Sequence, residues 1–507
     1  MLKKGGDSLP VIKIKDSVFE FEGCVNAGEV IKGIKNIEMP CGGHGKCGKC
    51  KVYVKGKAND LTENEKKLLS EDEIKRGIRL LCSLYAEGDI EITLSDSFGK
   101  AEIITDGFMP EFIIDTDFQG YGTAIDIGTT TVCARLYGEK GRLISESSCL
   151  NSQKSFGADV ISRIEAGTKG NGTLLSKALR EDIEFLLSDM AGNAKITVSD
   201  INSLVITGNT AMLHFLTDTD VEPLAKAPFE AKRLFGEVLS AKDIGINYVN
   251  SDARVYLPPC VSAFVGADTV CALLASDILE KDGVNLLADV GTNGEIALCR
   301  DGKITVCSTA AGPAFEGAYL KSGMMGRSGT IDRVWLENGK IAFHVIGDVK
   351  PLGICGSGII DAVQTLLFTE DIEKSGYMEE DVTLSEGVFV TKDDVRAIQL
   401  AKSAVVSGIY TLLKEEGLSF SEVDSLIIAG GFGSRINLSS AEGIGLLPKG
   451  AKKKSRAIGN GALSGAAMLL LNKELRDKCD KIIKSAKTIE LSDNAFFIDK
   501  YVENMMF

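Results

Sequence analysis

Ala124-Ile-Asp-Ile-Gly-Thr-Thr-Thr returns 163 residues later as Leu287-Ala-Asp-Val-Gly-Thr-Asn-Gly, with Asp126 matching Asp289, Gly128 matching Gly291 and Thr129 matching Thr292. Each copy is an apolar strand carrying one aspartate, a turn of glycine and hydroxyl residues, and a second apolar segment (Val132-Cys-Ala-Arg-Leu; Ile296-Ala-Leu). A repeat on this scale implies two similar half-domains. Apolar runs alternate with helical stretches after residue 120, the mark of α/β structure. A carboxylate at a strand end can hold Mg²⁺ through water, and such a turn offers backbone N–H groups and Thr hydroxyls to phosphate oxygens. Two of these hairpins facing one another across a cleft would clamp a triphosphate.

A third glycine cluster, Leu426-Ile-Ile-Ala-Gly-Gly-Phe-Gly-Ser-Arg, again follows an apolar strand. One such motif also fits an ordinary tight turn; the order, duplication and spacing of three carry the reading. Together they resemble the phosphate-1, phosphate-2 and adenosine motifs of the superfamily that includes actin, sugar kinases and heat-shock ATPases. The candidate nucleotide contacts are Gly128, Thr129, Thr130 and Thr131 in the first turn, Gly291, Thr292, Asn293 and Gly294 in the second, and Gly430, Gly431 and Gly433 in the third. Asp126 and Asp289 are the candidate catalytic residues, holding Mg²⁺ through water, with Glu295 as a water-orienting or capping group. Ser434 and Arg435 either touch the base or begin a helix.

Near the start, Cys41, Cys47, Cys50 and, farther on, Cys82 form the ligand set of a 2Fe-2S cluster, three in one glycine-rich loop and one on a distant segment that folds back. The glycines let the backbone curl with positive φ and aim N–H groups at sulfides. Zinc is the rival for four thiolates, disfavoured by the lack of a second Cys-x2-Cys. His44 reads as a loop residue, because a Rieske centre needs paired histidines and the chain has 3 in all. The same loop nearly spells a Walker P-loop, Gly43-His-Gly-Lys-Cys-Gly-Lys-Cys, and nominally a dinucleotide fingerprint, Gly43-x-Gly45-x-x-Gly48. Both fail on context, since Pro40 and Cys41 precede the loop and a strand follows it. Val11–Lys15, Lys51–Lys55 and Asp89–Leu94 alternate as strands do, and Thr62 with Glu65 forms a capping box opening a short helix through Leu68 and Leu69. Residues 11–95 thus resemble a β-grasp ferredoxin.

The expected fold class is therefore α+β multidomain: a ferredoxin-like domain at 1–95, a partly docked linker at 96–119, and a duplicated, ribonuclease-H-like and actin-like ATPase domain at 120–507, its halves roughly 120–280 and 281–507. A net charge of −14 and a pI near 5.0 argue against nucleic acid or an anionic membrane as partner. No signal-like or membrane-spanning apolar run is evident, so a cytoplasmic location is expected. Of the 13 cysteines, Cys133, Cys271 and Cys299 sit singly in apolar strings and read as small buried hydrophobes in a reducing compartment. His214 reads as a packed helix residue.

The ferredoxin loop joined to these ATPase motifs resembles the reductive activators of corrinoid proteins along the full length. Ile206-Thr-Gly-Asn-Thr-Ala-Met, Ala311-Gly-Pro-Ala-Phe-Glu-Gly-Ala, Gly353-Ile-Cys-Gly-Ser-Gly-Ile-Ile-Asp and Gly459-Asn-Gly-Ala-Leu-Ser-Gly-Ala add to the likeness, and the second of these brings Gly312 among the nucleotide contacts. The resemblance implies an enzyme that uses ATP and an external low-potential electron donor to return a cobalt(II) corrinoid to cobalt(I) in a methyltransferase system. It further implies a 2Fe-2S cluster, ATP and Mg²⁺ as cofactors, a corrinoid protein as partner, and a homodimer formed through the ATPase domain. Larger members carry an extra domain where this chain has only the linker. Alternatives are an ATP-driven activator of a radical dehydratase or reductase, disfavoured because such proteins place cluster cysteines inside the ATPase domain, and a non-catalytic iron–sulfur redox-sensing switch.

Overall fold

The computed structural model describes residues 9–15, 17–32, 39, 43, 45, 48–94, 105–317, 319–431 and 435–507. Cys41, His44, Cys47, Gly433 and Ser434 lie outside the described residues. The chain forms two compact units, Met1–Gly99 with Ser152–Leu179, and Lys100–Asn151 with Arg180–Phe507.

In the first unit, β1 (Val11–Ile14), β2 (Ser17–Glu20), β3 (Val25–Asn26), β4 (Lys51–Ala58), β5 (Ile78–Leu80) and β6 (Tyr85–Leu94) form one mixed sheet. Its order is β2-β1-β6-β4-β5, with β3 also on β6. The period-two pattern decides which face is buried: Ile12 and Ile14 pair in parallel with Ile90 and Ile92, and all four are buried while Lys13 and Glu91 face out. The helix Glu63–Leu68 starts at the Thr62/Glu65 capping box and is capped by Leu69.

Glu65 does more than cap. Fully buried, it takes Arg79 Nε at 2.8 Å and Nη2 at 3.0 Å, and accepts from the N–H groups of Thr62 and Leu80 at 2.9 and 3.0 Å. Burial alone would raise its pKa, but the bonds from Arg79, Thr62 and Leu80 outweigh it and hold the carboxyl below its usual range. The pair fastens the helix to β5 immediately before Cys82. Glu65→Gln should destabilise this sheet by about 2 kcal/mol. Amide exchange in β5 and β6 should then rise about thirtyfold; unchanged exchange would mean that the pair adds no net stability.

In the second unit the strands are β7 (Tyr121–Ile127), β8 (Thr131–Gly138), β9 (Leu143–Leu150), β10 (Ile201–Gly208), β11 (Glu237–Ser240), β12 (Arg254–Leu257), β13 (Val284–Val290), β14 (Gly294–Arg300) and β15 (Lys303–Thr309). They continue as β16 (Thr330–Glu337), β17 (Lys340–Val345), β18 (Gly353–Ile354), β19 (Val382–Ser385), β20 (Val388–Val390), β21 (Ser425–Ala429), β22 (Ser455–Gly459) and β23 (Ala486–Thr488). Two large sheets result, ordered β11-β12-β10-β7-β8-β9 and β22-β21-β13-β14-β15-β23. The sequence echo is thereby a topological one. In each sheet an antiparallel meander (β7-β8-β9; β13-β14-β15) meets a parallel strand (β10; β21) on the other side of its first member, with another (β12; β22) beyond. The central strands are buried on both faces, so they read as mostly apolar runs that carry an aspartate near the end.

The halves interlock. The helix Ala267–Ala275 after β12 packs on the helix Gly461–Leu471 after β22, and the latter also lies on β7 and β10 of the first sheet. A Cβ on Gly465 would stand 2.0 Å from the Cys271 carbonyl oxygen, so only glycine permits this crossing. Residues 105–119 dock on the same unit: Gly107 bridges Gly459, the Phe108 N–H donates to the Ile458 carbonyl at 2.8 Å, the Asp115 N–H to Leu471 at 2.9 Å, and Arg254 pairs with Asp117 at 3.1 Å. Cys133, Cys271 and Cys299 are buried, and burial pushes their thiols up, Cys299 to about 12. His214 is buried in the helix Thr210–Leu216, its Nδ1 2.8 Å from the Thr210 carbonyl, and burial lowers its pKa. No helix among the described residues is long and apolar enough to cross a membrane.

Candidate nucleotide and cluster sites

Asp126 and Asp289 end equivalent strands, and the turns that follow bound a cavity of about 240 Å³. From the first turn Gly128, Thr129, Thr130 and Thr131 line it; from the second, Gly291, Thr292, Asn293 and, beyond the turn, Glu295; from the third cluster, Gly430, Gly431 and Arg435. Gly294 and Gly312 are outside the lining: Gly294 opens β14 with its bare face toward Thr309 Oγ1, and Gly312 precedes the turn Pro313–Glu316. Gly430 must be glycine, because at φ +93 a Cβ would stand 2.5 Å from Asp289 Oδ1.

The cavity also holds Asn209, Asp268, Glu316, Asp332, Ser357 and Asn460, which motif reading passed over. Two of them share one device. Asn209 caps the helix Thr210–Leu216 by accepting the Met212 N–H at 3.0 Å while its Nδ2 donates to Thr129 Oγ1 at 3.2 Å. Asn460 caps Gly461–Leu471 by accepting from Leu463 at 2.8 Å and donates to Asp126 Oδ2 at 2.9 Å. Each helix cap therefore also orients a group of the first hairpin. The signal was present as Gly-Asn after an apolar strand, at 208–209 and again at 459–460. Asp268 enters from the first turn of Ala267–Ala275, its Oδ1 accepting from the Thr269 N–H at 2.8 Å.

Four half-buried carboxylates, Asp126, Asp268, Asp289 and Glu295, thus line one cavity. Burial, opposed by Asn460 and aided by Asp268, pushes Asp126 up to about 7. Burial together with Asp268 and Asp126 carries Asp289 to about 7, and burial carries Asp268 to about 6. Glu295, directly across the ladder from Asp289, is raised well above its usual value by burial, Asp268 and Asp289. Like charges this close ionise together only when a cation joins them. Among the described residues no three side chains stand close enough to ligate one ion directly, and water-mediated contact is how aspartates at strand ends meet Mg²⁺.

At the other end of the chain, the Sγ atoms of Cys50 and Cys82 lie 3.4 Å apart without a disulfide between them. Bonds to their carbonyls hold them there: the Leu81 N–H donates to the Cys50 carbonyl at 2.8 Å, and the Asn26 side-chain Nδ2 to the Cys82 carbonyl at 3.0 Å. Gly43, Gly45 and Gly48 all have positive φ, and a Cβ on Gly45 would stand 2.9 Å from Asn64 Nδ2. Paired sulfur donors beside a loop curled in this way fit an iron–sulfur cluster.

Comparison with known proteins bears on the fold and the family. The family model for the RACo middle region matches residues 121–281, and that for the C-terminal domain of RACo, the ASKHA domain, matches residues 283–507. The corrinoid activation enzyme RamQ of Eubacterium limosum is 37% identical over 420 residues, 76% of this chain and 70% of that protein. A [Co(II) methylated amine-specific corrinoid protein] reductase of Methanosarcina barkeri is 27% identical over 73% of each. A solved structure of a reductive activator for corrinoid, iron-sulfur protein superposes with a TM-score of 0.71 at 26% identity, covering 98% of both chains. The matched length, the ferredoxin-like sheet and the paired phosphate turns agree, and the chain belongs to the RACo family of corrinoid reductive activators.

Proposed function

We propose that the protein is an ATP-hydrolysing reductive activator that converts the cobalt(II) corrinoid of a partner protein to cobalt(I). The observation that carries this is the presence, in one chain, of a thiolate pair shaped for an electron-carrying cluster and an acid-lined cavity between two phosphate turns. Cys41, Cys47, Cys50 and Cys82 would hold a 2Fe-2S cluster, which supplies one-electron chemistry near about −400 mV. Asp126, Asp268 and Asp289 would hold Mg²⁺ through water, which supplies charge neutralisation for the phosphates.

The rest belongs to the chain's own groups. Thr129, Thr130, Thr131, Thr292 and Asn293 donate to phosphate oxygens, Gly430 and Gly431 let the nucleotide approach the backbone, and Asn209 and Asn460 keep Thr129 and Asp126 oriented. Glu295, across the ladder from Asp289, would orient the attacking water. Cobalt(I) is hard to reach from an ordinary ferredoxin potential, so electron flow runs uphill unless the partner is bound in a form easier to reduce. For one electron, each tenfold of differential affinity for that form is worth about 59 mV. Closure and opening of the two halves about the crossing at Gly465 would couple nucleotide state to gripping and releasing the partner. The upstream reductant is a low-potential donor, and the ATPase unit pairs two copies.

The test is anaerobic absorption spectroscopy of a cobalt(II) corrinoid protein mixed with the dithionite-reduced protein. Cobalt(I) should form with Mg-ATP and not without it. Equal conversion without ATP, or none with it, would overturn the proposal.

A further inference from the structure

Glu316 closes the short turn Pro313–Glu316, and its Oε2 accepts from two hydroxyls at once, Thr292 Oγ1 at 2.8 Å and Thr130 Oγ1. Those threonines belong to opposite phosphate turns, 162 residues apart in sequence, yet their hydroxyl oxygens are 3.3 Å apart. Both are nearly buried, at 6% and 3% exposure, so solvent is a poor substitute partner. Each hydroxyl has one proton to donate. A phosphate oxygen seated between the turns needs the same two protons that Glu316 holds, and a carboxylate and a phosphate cannot share them without close contact of like charges.

We propose that Glu316 is an internal anion that competes with the outer phosphates of the nucleotide for Thr130 and Thr292. The proposal rests on the nucleotide reading of this cavity. Binding of the outer phosphates displaces the carboxylate, and their departure lets it return, which holds affinity down and favours product release. Gly312 and Gly317 flank the turn, both at φ +77. Gly317 in turn lies against Met324, where a Cβ would meet the backbone O at 2.7 Å and N at 2.8 Å. The Met324 N–H donates to the Ile354 carbonyl at 2.9 Å, and Met324, Met325 and Gly326 line the cavity. Displacing Glu316 therefore shifts a wall of the nucleotide site and the β18 segment bonded to it.

The experiment is calorimetric titration of the full-length protein and its Glu316→Gln and Glu316→Ala variants with Mg²⁺ and either the non-hydrolysable triphosphate analogue AMPPNP or AMP. Both variants should bind AMPPNP about tenfold more tightly, the size expected when a charge-assisted hydrogen bond need no longer be broken, and should leave AMP affinity unchanged. Unchanged or weaker AMPPNP binding, in Glu316→Gln alone if Glu316→Ala does not fold, would overturn the proposal, as would equal tightening toward AMP. Failure of the wild-type protein to bind AMPPNP at all would instead remove the nucleotide reading beneath it.

Discussion

Asp289→Asn should lower ATP hydrolysis by about a hundredfold or more while leaving the visible spectrum of the iron–sulfur unit intact. The strand end is held rigidly, with Asp289 opposite Glu295 on one side and Ala429 on the other, so the substitution removes charge without moving the backbone. On the proposed function, what is lost is a carboxylate that would hold Mg²⁺ through water. The same change carries a second, opposite effect on stability. With its folded-state pKa raised from 3.8 to about 7 by burial, Asp268 and Asp126, Asp289 favours folding fully only below about pH 4, and that contribution is lost as pH rises toward 7. Metal-free wild-type protein at pH 8 therefore bears a penalty that the Asn variant lacks, on the order of 2 kcal/mol. In EDTA, Asp289→Asn should melt higher than wild type at pH 8, with the gap narrowing as pH falls toward 4. A variant that hydrolyses ATP normally, or melts lower than wild type at pH 8, would remove Asp289 from the site.

Cys82→Ser should abolish cobalt(I) formation altogether and bleach the 400–600 nm absorption in which 2Fe-2S centres are roughly expected, with nucleotide affinity unchanged. Cys82 contributes one of the two sulfurs found 3.4 Å apart, and serine oxygen is a poor replacement for thiolate toward iron. Its segment is fixed by Asn26, by the Cys50 carbonyl and, one strand earlier, by the Glu65–Arg79 pair. The variant should therefore fold while failing to carry electrons. Retention of the chromophore would exclude Cys82 from the ligand set; loss of nucleotide binding along with it would break the modular account.

These two predictions draw on features of different legibility. The strand-Asp-Gly-Thr echo was readable because a turn's phosphate chemistry lies in four or five consecutive residues, and because duplication repeats it in register. The Thr62/Glu65 box was readable for the same local reason, whereas the three further bonds that make Glu65 a keystone of its sheet join it to Arg79 and Leu80 in space. Asp268 and Glu316 were opaque, whereas Asn209 and Asn460 carried only the Gly-Asn signal after an apolar strand. Nothing in a short window distinguishes Gly-Ala-Asp or Pro-Ala-Phe-Glu from any helix start or turn; their roles exist only where helix N-termini and strand ends converge on one cavity. Gly294 shows the converse, a glycine within the motif whose bare face serves packing against Thr309.

By itself the amino-acid sequence determined the kinds of chemistry: thiolates in a glycine loop, a repeated aspartate-and-hydroxyl turn, and apolar strands periodic enough to specify α/β halves, all of them properties of neighbours along the chain. Tertiary structure alone decided which carboxylates share a cavity, which bonds fix residues 105–119 to the ATPase unit, and that Glu316 holds hydroxyls from both turns. The physical reason is distance. Desolvation, like-charge repulsion and competition for a proton act over a few ångströms between segments more than a hundred residues apart, and only the folded backbone sets those separations.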